Sequence, residues 1–159
     1  MIQPPNMHLA EVNIGRTRGA IDDPVMAEFK ARLDAVNALA ERSPGFVWRL
    51  TGDGNDATDV HIADDPMMAI NLSVWETPAQ LADFVWKTVH AKVYARKAEW
   101  FEAMSSAHFV MWWVPVGHEP SAEEALERLA HYNEHGPSEH AFGWAELPEV
   151  KLWMEKRCA

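Results

Sequence analysis

A chain of 159 residues has room for one domain of ordinary size and not for two. Fourteen Lys and Arg against 24 Asp and Glu leave a formal charge of −10, the wrong sign for a surface that tracks phosphates, so nucleic acid and anionic membrane are poor partners. Cys158 is the only cysteine, which excludes an intrachain disulfide, a cysteine zinc site and a redox pair and suits a reducing cytoplasm.

The N-terminus, Met1-Ile2-Gln3-Pro4-Pro5-Asn6, has neither the basic nor the apolar region of a secretory signal, and no stretch approaches the ~18 apolar residues of a membrane span. The expectation is one domain over 1–159, with a core at about 8–115 and a C-terminal helix and tail at 116–159. Residues 8–14 alternate as a first strand, with Ala10, Val12 and Ile14 opposite Leu9, Glu11 and Asn13. Asp22-Asp23-Pro24 supplies an N-cap carboxylate and a first-turn proline, and Val25, Phe29, Leu33, Val36 and Leu39 recur at helical steps. That helix must stop at Ser43-Pro44-Gly45.

Residues 46–50 read as a second strand, with Phe46, Trp48 and Leu50 on one face and Val47 and Arg49 on the other. Gly52 to Asp56 is turn chemistry, and Val60 and Ile62 are placed in a short continuation. From Met67 to Trp75 the alternation is cleanest: Met68, Ile70, Leu72 and Val74 oppose Ala69, Asn71, Ser73 and Trp75. Thr77-Pro78-Ala79-Gln80 is a capping box opening a long helical stretch that runs to Met104, with a break expected near Thr88 to Ala91. His108 to Val114 is a fourth strand with Trp112 and Trp113 on opposite faces. A second capping box at Ser121 opens a helix that ends at His135-Gly136-Pro137.

The order strand, helix, strand, strand, helix, strand is that of the α+β, ferredoxin-like βαββαβ unit, an antiparallel sheet with two helices on one face and here an extra C-terminal helix. The bare unit leaves its other face open, so a homodimer is expected in which two sheets pack open face to open face around a pocket. If the uniformly apolar rows lie under the helices, the pocket receives Glu11, Asn13, Arg49, Asn71, Ser73 and Trp75, a few directional groups around an aromatic, as in a small-molecule site. The plainer reading is that Glu11 and Arg49 neutralise each other and Asn71 satisfies backbone.

Gly45-Phe46-Val47-Trp48-Arg49-Leu50, Asn71-Leu72-Ser73-Val74-Trp75-Glu76, His90, Trp100-Phe101 and Trp112-Trp113-Val114-Pro115 with Gly117-His118 and Pro120 together resemble the bacterial domain-of-unknown-function 3291 family over about 8–146. The plan is similar to the dimeric α+β barrel superfamily, which includes cofactor-independent monooxygenases of antibiotic biosynthesis, haem-dependent chlorite dismutases and dye peroxidases, and small degradative enzymes. The resemblance implies the fold and the pocket and names no reaction.

His90, sharing a helical face with Trp86 and Tyr94, is the candidate catalytic residue: an aromatic surround keeps imidazole neutral, able to take a proton from a phenol or enol. Asn13, Asn71 and Arg49 would hold the oxyanion, with Trp75, Trp86 and Trp113 as candidate ligand walls. The plainer reading of His90 is a packed helix histidine. His131 and His135 have the spacing of a zinc helix but lack its glutamate, residue 132 being Tyr, and His140 is the nearest third ligand; the default is a solvated face with no metal. His90 or His108 would be the axial ligand if haem bound, though no Cys-x-x-Cys-His motif is present. The function expected is a cofactor-independent monooxygenase or isomerase of a small aromatic or enolisable metabolite. The alternatives are a non-catalytic small-molecule or haem-binding barrel and a structural dimer filled by its own side chains.

Overall fold

The computed structural model describes residues 1–62 and 64–150. Four strands, β1 (Met7–Arg16), β2 (Phe46–Arg49), β3 (Met68–Trp75) and β4 (Phe109–Pro115), form one antiparallel sheet in the order β2-β3-β1-β4, the arrangement of the split βαβ unit. The helices are α1 (Ala27–Arg42), α2 (Pro78–Lys87), α3 (Val89–Ala95) and α4 (Ala122–His135). Cys158 and the end of the C-terminal tail lie outside the described residues.

Most boundaries follow from the residues anticipated. The Asp23 carboxylate accepts from Val25 N at 2.9 Å, but Pro24–Met26 is a 3-10 turn and α1 begins only at Ala27, so Val25 is left exposed and Met26 takes the buried place. Thr77 Oγ1 accepts from Gln80 N at 3.3 Å, and Ser121 Oγ accepts from Glu124 N at 3.1 Å. Neither box is closed on the backbone N–H of its cap: Gln80 accepts the Thr77 hydroxyl at 2.7 Å and donates to Glu76, and Glu124 takes Trp112 Nε1 and His118 Nε2. Gly136, at φ 77°, ends α4 in a conformation that costs a residue without Cβ little.

The long helical stretch breaks at Thr88, whose backbone is extended. Its hydroxyl donates to Phe84 O at 2.5 Å and accepts from His90 N at 3.2 Å, closing α2 and opening α3 with one side chain. The helix does not continue to Met104; α3 ends at Ala95 and a 3-10 turn covers Lys97–Glu99. Val60 and Ile62 do not extend β2; Ile62 makes only an isolated bridge to Asp65.

The sheet has two covered faces. The row Ala10, Val12, Ile70, Leu72, Val74, Val110, Trp112 and Val114 packs under Ala125 and Leu129 of α4, together with Ile62 and Ala141. The row Leu9, Trp75 and Met111 packs under Ala40 of α1, Leu81, Ala82 and Phe84 of α2, and Phe142, Leu147 and Val150. This reverses the side assigned from strand parity, because the uniformly apolar row faces α4 and the row carrying polar groups faces α1 and α2. Parity separates two faces but does not say which helix lies on which. The face left free in the open unit is therefore buried inside the chain, and sheet-to-sheet pairing of two copies would require α4 to move away.

A bulge in β2 alters a second assignment. Phe46 pairs with Trp75 and Trp48 with Val74, so two residues that simple alternation puts on one face lie on opposite faces. Phe46 packs edge-on against Trp75 at 5.5 Å, while Trp48 joins the α4 side. Trp112 and Trp113 do oppose each other, Trp112 in the α4 layer and Trp113 against Phe142.

Candidate functional site

Register brings the polar row together. Glu11 of β1 lies opposite Ser73 of β3 and Met111 of β4, and Asn13 lies opposite Asn71 and Phe109. All face the helix-covered side, where Glu11 is only 4% exposed. Ser73 Oγ donates to Glu11 Oε1 at 2.5 Å, Asn71 Nδ2 donates to the same oxygen at 3.1 Å, and Asn13 Nδ2 reaches Oε2 at 3.5 Å. Trp75 Nε1 donates to Ser73 Oγ at 3.0 Å. Five residues on two adjacent strands thus form one connected network, which runs from buried Trp75 and Ser73 to exposed Asn71.

Arg49 is not part of it. Its guanidinium, though 8% exposed, meets Glu41 of α1 at 2.8 Å and the Asn55 carbonyl at 2.7 Å. Arg49 stands opposite Ser73 in the register, yet these contacts overturn the expectation that it neutralises Glu11. The donors to Glu11 are neutral, and burial dominates its electrostatics: desolvation pushes the carboxyl from 4.5 up to about 7, with the hydrogen bonds from Ser73, Asn13 and Asn71 opposing it. A carboxyl in this state exchanges protons in the neutral range, the property expected of a general acid or base.

Aromatic rings surround the network. Trp75 stacks on Phe84 of α2 at 5.1 Å, and Phe84 lies 5.0 Å from the imidazole of His90. Tyr94 also stacks on His90 at 6.3 Å and meets Trp86 edge-on at 5.7 Å. Phe109 stacks on Trp144 at 5.7 Å, with Trp86 beyond it at 6.3 Å. His90 Nδ1 faces the Val85 carbonyl at 3.3 Å, and burial lowers the affinity of its ring for a second proton, so imidazole stays neutral with Nε2 left as the acceptor. The Trp86 indole nitrogen is buried without a hydrogen-bond partner. No hydrogen bond joins His90 to Glu11; the link runs through Phe84, Trp75 and Ser73.

Of the residues singled out from sequence, Glu11, Asn13, Asn71, Ser73 and Trp75 are brought together, His90 and Trp86 sit at the aromatic margin, and Trp113 lies against Phe142 at 5.2 Å. Sequence reading passed over Phe84, Phe109, Met111 and Trp144. Phe109 and Met111 were legible in principle, since they share the parity of Trp113 on β4, whereas nothing local marks Phe84 or Trp144 as neighbours of the strands. His131 and His135 sit side by side on α4 with ring centroids 4.6 Å apart, and His140, 4.5 Å from His131, is held between Glu127 and Arg128. A shallow concavity of about 410 Å³ over Ile21, Asp22, Asp23, Lys30 and Asp34 shares no residue with the Glu11 network and offers no comparable chemistry. No helix among the described residues is long and apolar enough to cross a membrane.

A family model described as a domain of unknown function, DUF3291, matches residues 8–158. Among solved structures, the chain is similar to a protein of Nitrosomonas europaea carrying the provisional name antibiotic biosynthesis monooxygenase. That likeness has 17% identity and a TM-score of 0.46, over 76% of this chain and 100% of the other. A protein of unknown function from the same organism is similar at 12% identity and a TM-score of 0.45, over 74% of this chain and 97% of the other. No curated protein matches.

Proposed function

The chain belongs to the DUF3291 family, and on that premise we propose that it is a small-molecule enzyme whose first step is proton transfer at Glu11, acting on an enolisable or phenolic carbonyl compound. The observation that carries this reading is a carboxyl 4% exposed, held by neutral donors alone and poised at about 7. A base works best when its proton affinity matches the working pH, and a buried carboxylate is more basic than one in water for the reason that desolvation raised it.

In this reading Glu11 removes an acidic C–H or O–H proton. Asn13 and Asn71 offer N–H groups to the oxygen on which negative charge develops, Asn71 from the solvent-facing end by which a substrate would enter. Trp75 and Phe84, stacked on each other, and Phe109, stacked on Trp144, make the surroundings of the carboxyl apolar. His90, neutral and with Nε2 free to accept, is a second proton carrier at the margin rather than the primary base. The resulting enolate or phenolate either returns the proton to a different carbon or meets dioxygen, the two outcomes expected from sequence.

Deuterium exchange tests the first step without knowledge of the natural substrate. A 1,3-diketone and a naphthol are incubated with the protein in D2O, and loss of the acidic C–H signals is followed by proton NMR. Wild type should exchange them faster than buffer, Glu11→Gln should fall to the buffer rate, and His90→Gln should retain most of the acceleration. Equal exchange by wild type and Glu11→Gln overturns the assignment, and acceleration of neither probe by wild type leaves the non-catalytic binder as the better reading.

A further inference from the structure

The hydrogen-bond chain that ends on Glu11 has a direction, and the direction determines which oxygen carries the proton. Indole Nε1–H can only donate, so at 3.0 Å Trp75 occupies an acceptor position of the Ser73 hydroxyl. A hydroxyl has a single proton, and with Trp75 donating into its oxygen that proton is turned to Glu11 Oε1 at 2.5 Å. Oε1 also accepts Asn71 Nδ2 at 3.1 Å. Two donors converge on Oε1, and only the long 3.5 Å approach of Asn13 Nδ2 faces Oε2.

We propose that Trp75, acting through Ser73, is a positioning residue that holds Oε1 as a permanent acceptor and thereby assigns the exchangeable proton of Glu11 to Oε2, on the side of Asn13. This deepens the proton-transfer reading above and rests on it for its catalytic meaning. It also narrows the ligand. When Glu11 is protonated, Oε2–H and Asn13 Nδ2–H are two donors side by side, which a single carbonyl oxygen accepts together; when Glu11 is ionised, the same corner is one acceptor beside one donor, which suits an acidic hydrogen next to that carbonyl. The ligand chemistry that fits both states is a neutral carbonyl with an acidic hydrogen on the adjoining atom, and a carboxylate anion fits neither as well.

The test is an equilibrium titration without substrate, so its failure is distinct from failure of the deuterium-exchange experiment. In protein carrying 13C-labelled glutamate, the Glu11 carboxyl carbon and the Trp75 indole proton are followed against pH. In wild type the two resonances should move with the same midpoint. Ser73→Ala should raise the carboxyl midpoint, by roughly three- to tenfold in proton affinity for the loss of one hydrogen bond to a charged group, and should leave the indole proton insensitive to that titration. Trp75→Phe should raise the midpoint in the same direction, and the double variant should equal Ser73→Ala alone, because Trp75 acts only through the hydroxyl. A Trp75 indole proton that does not sense the Glu11 titration in wild type, or shifts of Trp75→Phe and Ser73→Ala that add in the double variant, would overturn the proposal. The wild-type and Ser73→Ala measurements decide it even where Trp75→Phe does not fold.

Discussion

The guanidinium of Arg96, at the C-cap of α3, forks onto both carboxylate oxygens of Glu28 in the first turn of α1, at 2.6 and 2.8 Å, and also reaches Glu99 at 2.7 Å. The pair spans 68 positions in sequence and ties the start of α1 to the end of α3, the short helix that follows α2. Arg96 and then Arg32 hold the Glu28 carboxyl down at about 2. Because the folded value lies below the ordinary 4.5, this contribution to stability is present above about pH 4.5 and is lost as pH falls toward 2. Thermal melts of Glu28→Gln should therefore lie a little below wild type at pH 7 and converge with it in acid and in high salt, since the pair is at the surface. A difference that persists at pH 2 would show that Glu28 acts by packing instead.

Glu11 has the opposite sign. Its folded value, about 7, lies above 4.5, so the folded state holds the proton more tightly than the unfolded chain. Stability should decline as pH rises from about 4.5 to about 7, then level off, with an amplitude on the order of 3 kcal/mol for a shift of this size. Glu11→Gln removes the charge while keeping an oxygen for Ser73 and Asn71. Chemical denaturation should find the variant more stable than wild type at pH 8 and nearly equal at pH 4.5; a variant less stable at pH 8 contradicts the burial argument.

Arg49→Met separates the two readings of Arg49. The substitution breaks the contacts to Glu41 and the Asn55 carbonyl but removes no partner of Glu11. The carboxyl titration of Glu11 should keep its wild-type midpoint, and deuterium exchange should persist. A midpoint moved upward by a pH unit would restore the electrostatic pairing that strand alternation suggested.

Gly15 lies beneath the ring of Phe101 so closely that a Cβ there would stand 2.6 Å from Phe101 Cδ1. Phe101 cannot retreat freely, because it meets Phe29 edge-on at 5.1 Å and Phe29 in turn leans on Trp100. Gly15→Ala should destabilise the fold by about 1–3 kcal/mol, the range for an overpacked contact, measured by denaturant midpoint. An unchanged midpoint would mean that this aromatic corner yields easily.

Element order carried most of the architecture, since caps at Asp23, Thr77 and Ser121 and alternation in β1 and β3 are local signals that survive folding. The convergence of Glu11, Asn13, Asn71, Ser73 and Trp75 was equally legible, because parity and antiparallel pairing bring them to one face whichever side it turns to. What sequence did not contain was the third dimension of that face. The choice between α1 with α2 and α4 as its cover is made by tertiary packing, and the bulge that sends Phe46 and Trp48 to opposite sides falls within a strand of four residues, too short for periodicity to register an extra one. Arg49 does stand opposite Ser73 as alternation placed it, but strand parity could not name its partner, because Glu41 sits on α1.

The covering of the apolar row by α4 also has a meaning in time. Ribosomal synthesis runs from the N-terminus, so all four strands and the two helices on the Glu11 side are made before residues 122–135. Until that last helix emerges, a nascent sheet presents Val12, Leu72, Val74, Val110 and Trp112 without their cover. The interval is one in which chaperones or neighbouring nascent chains compete with the chain's own final helix for the same plane, and slowing or truncating synthesis within α4 would turn a well-packed protein into an adhesive one.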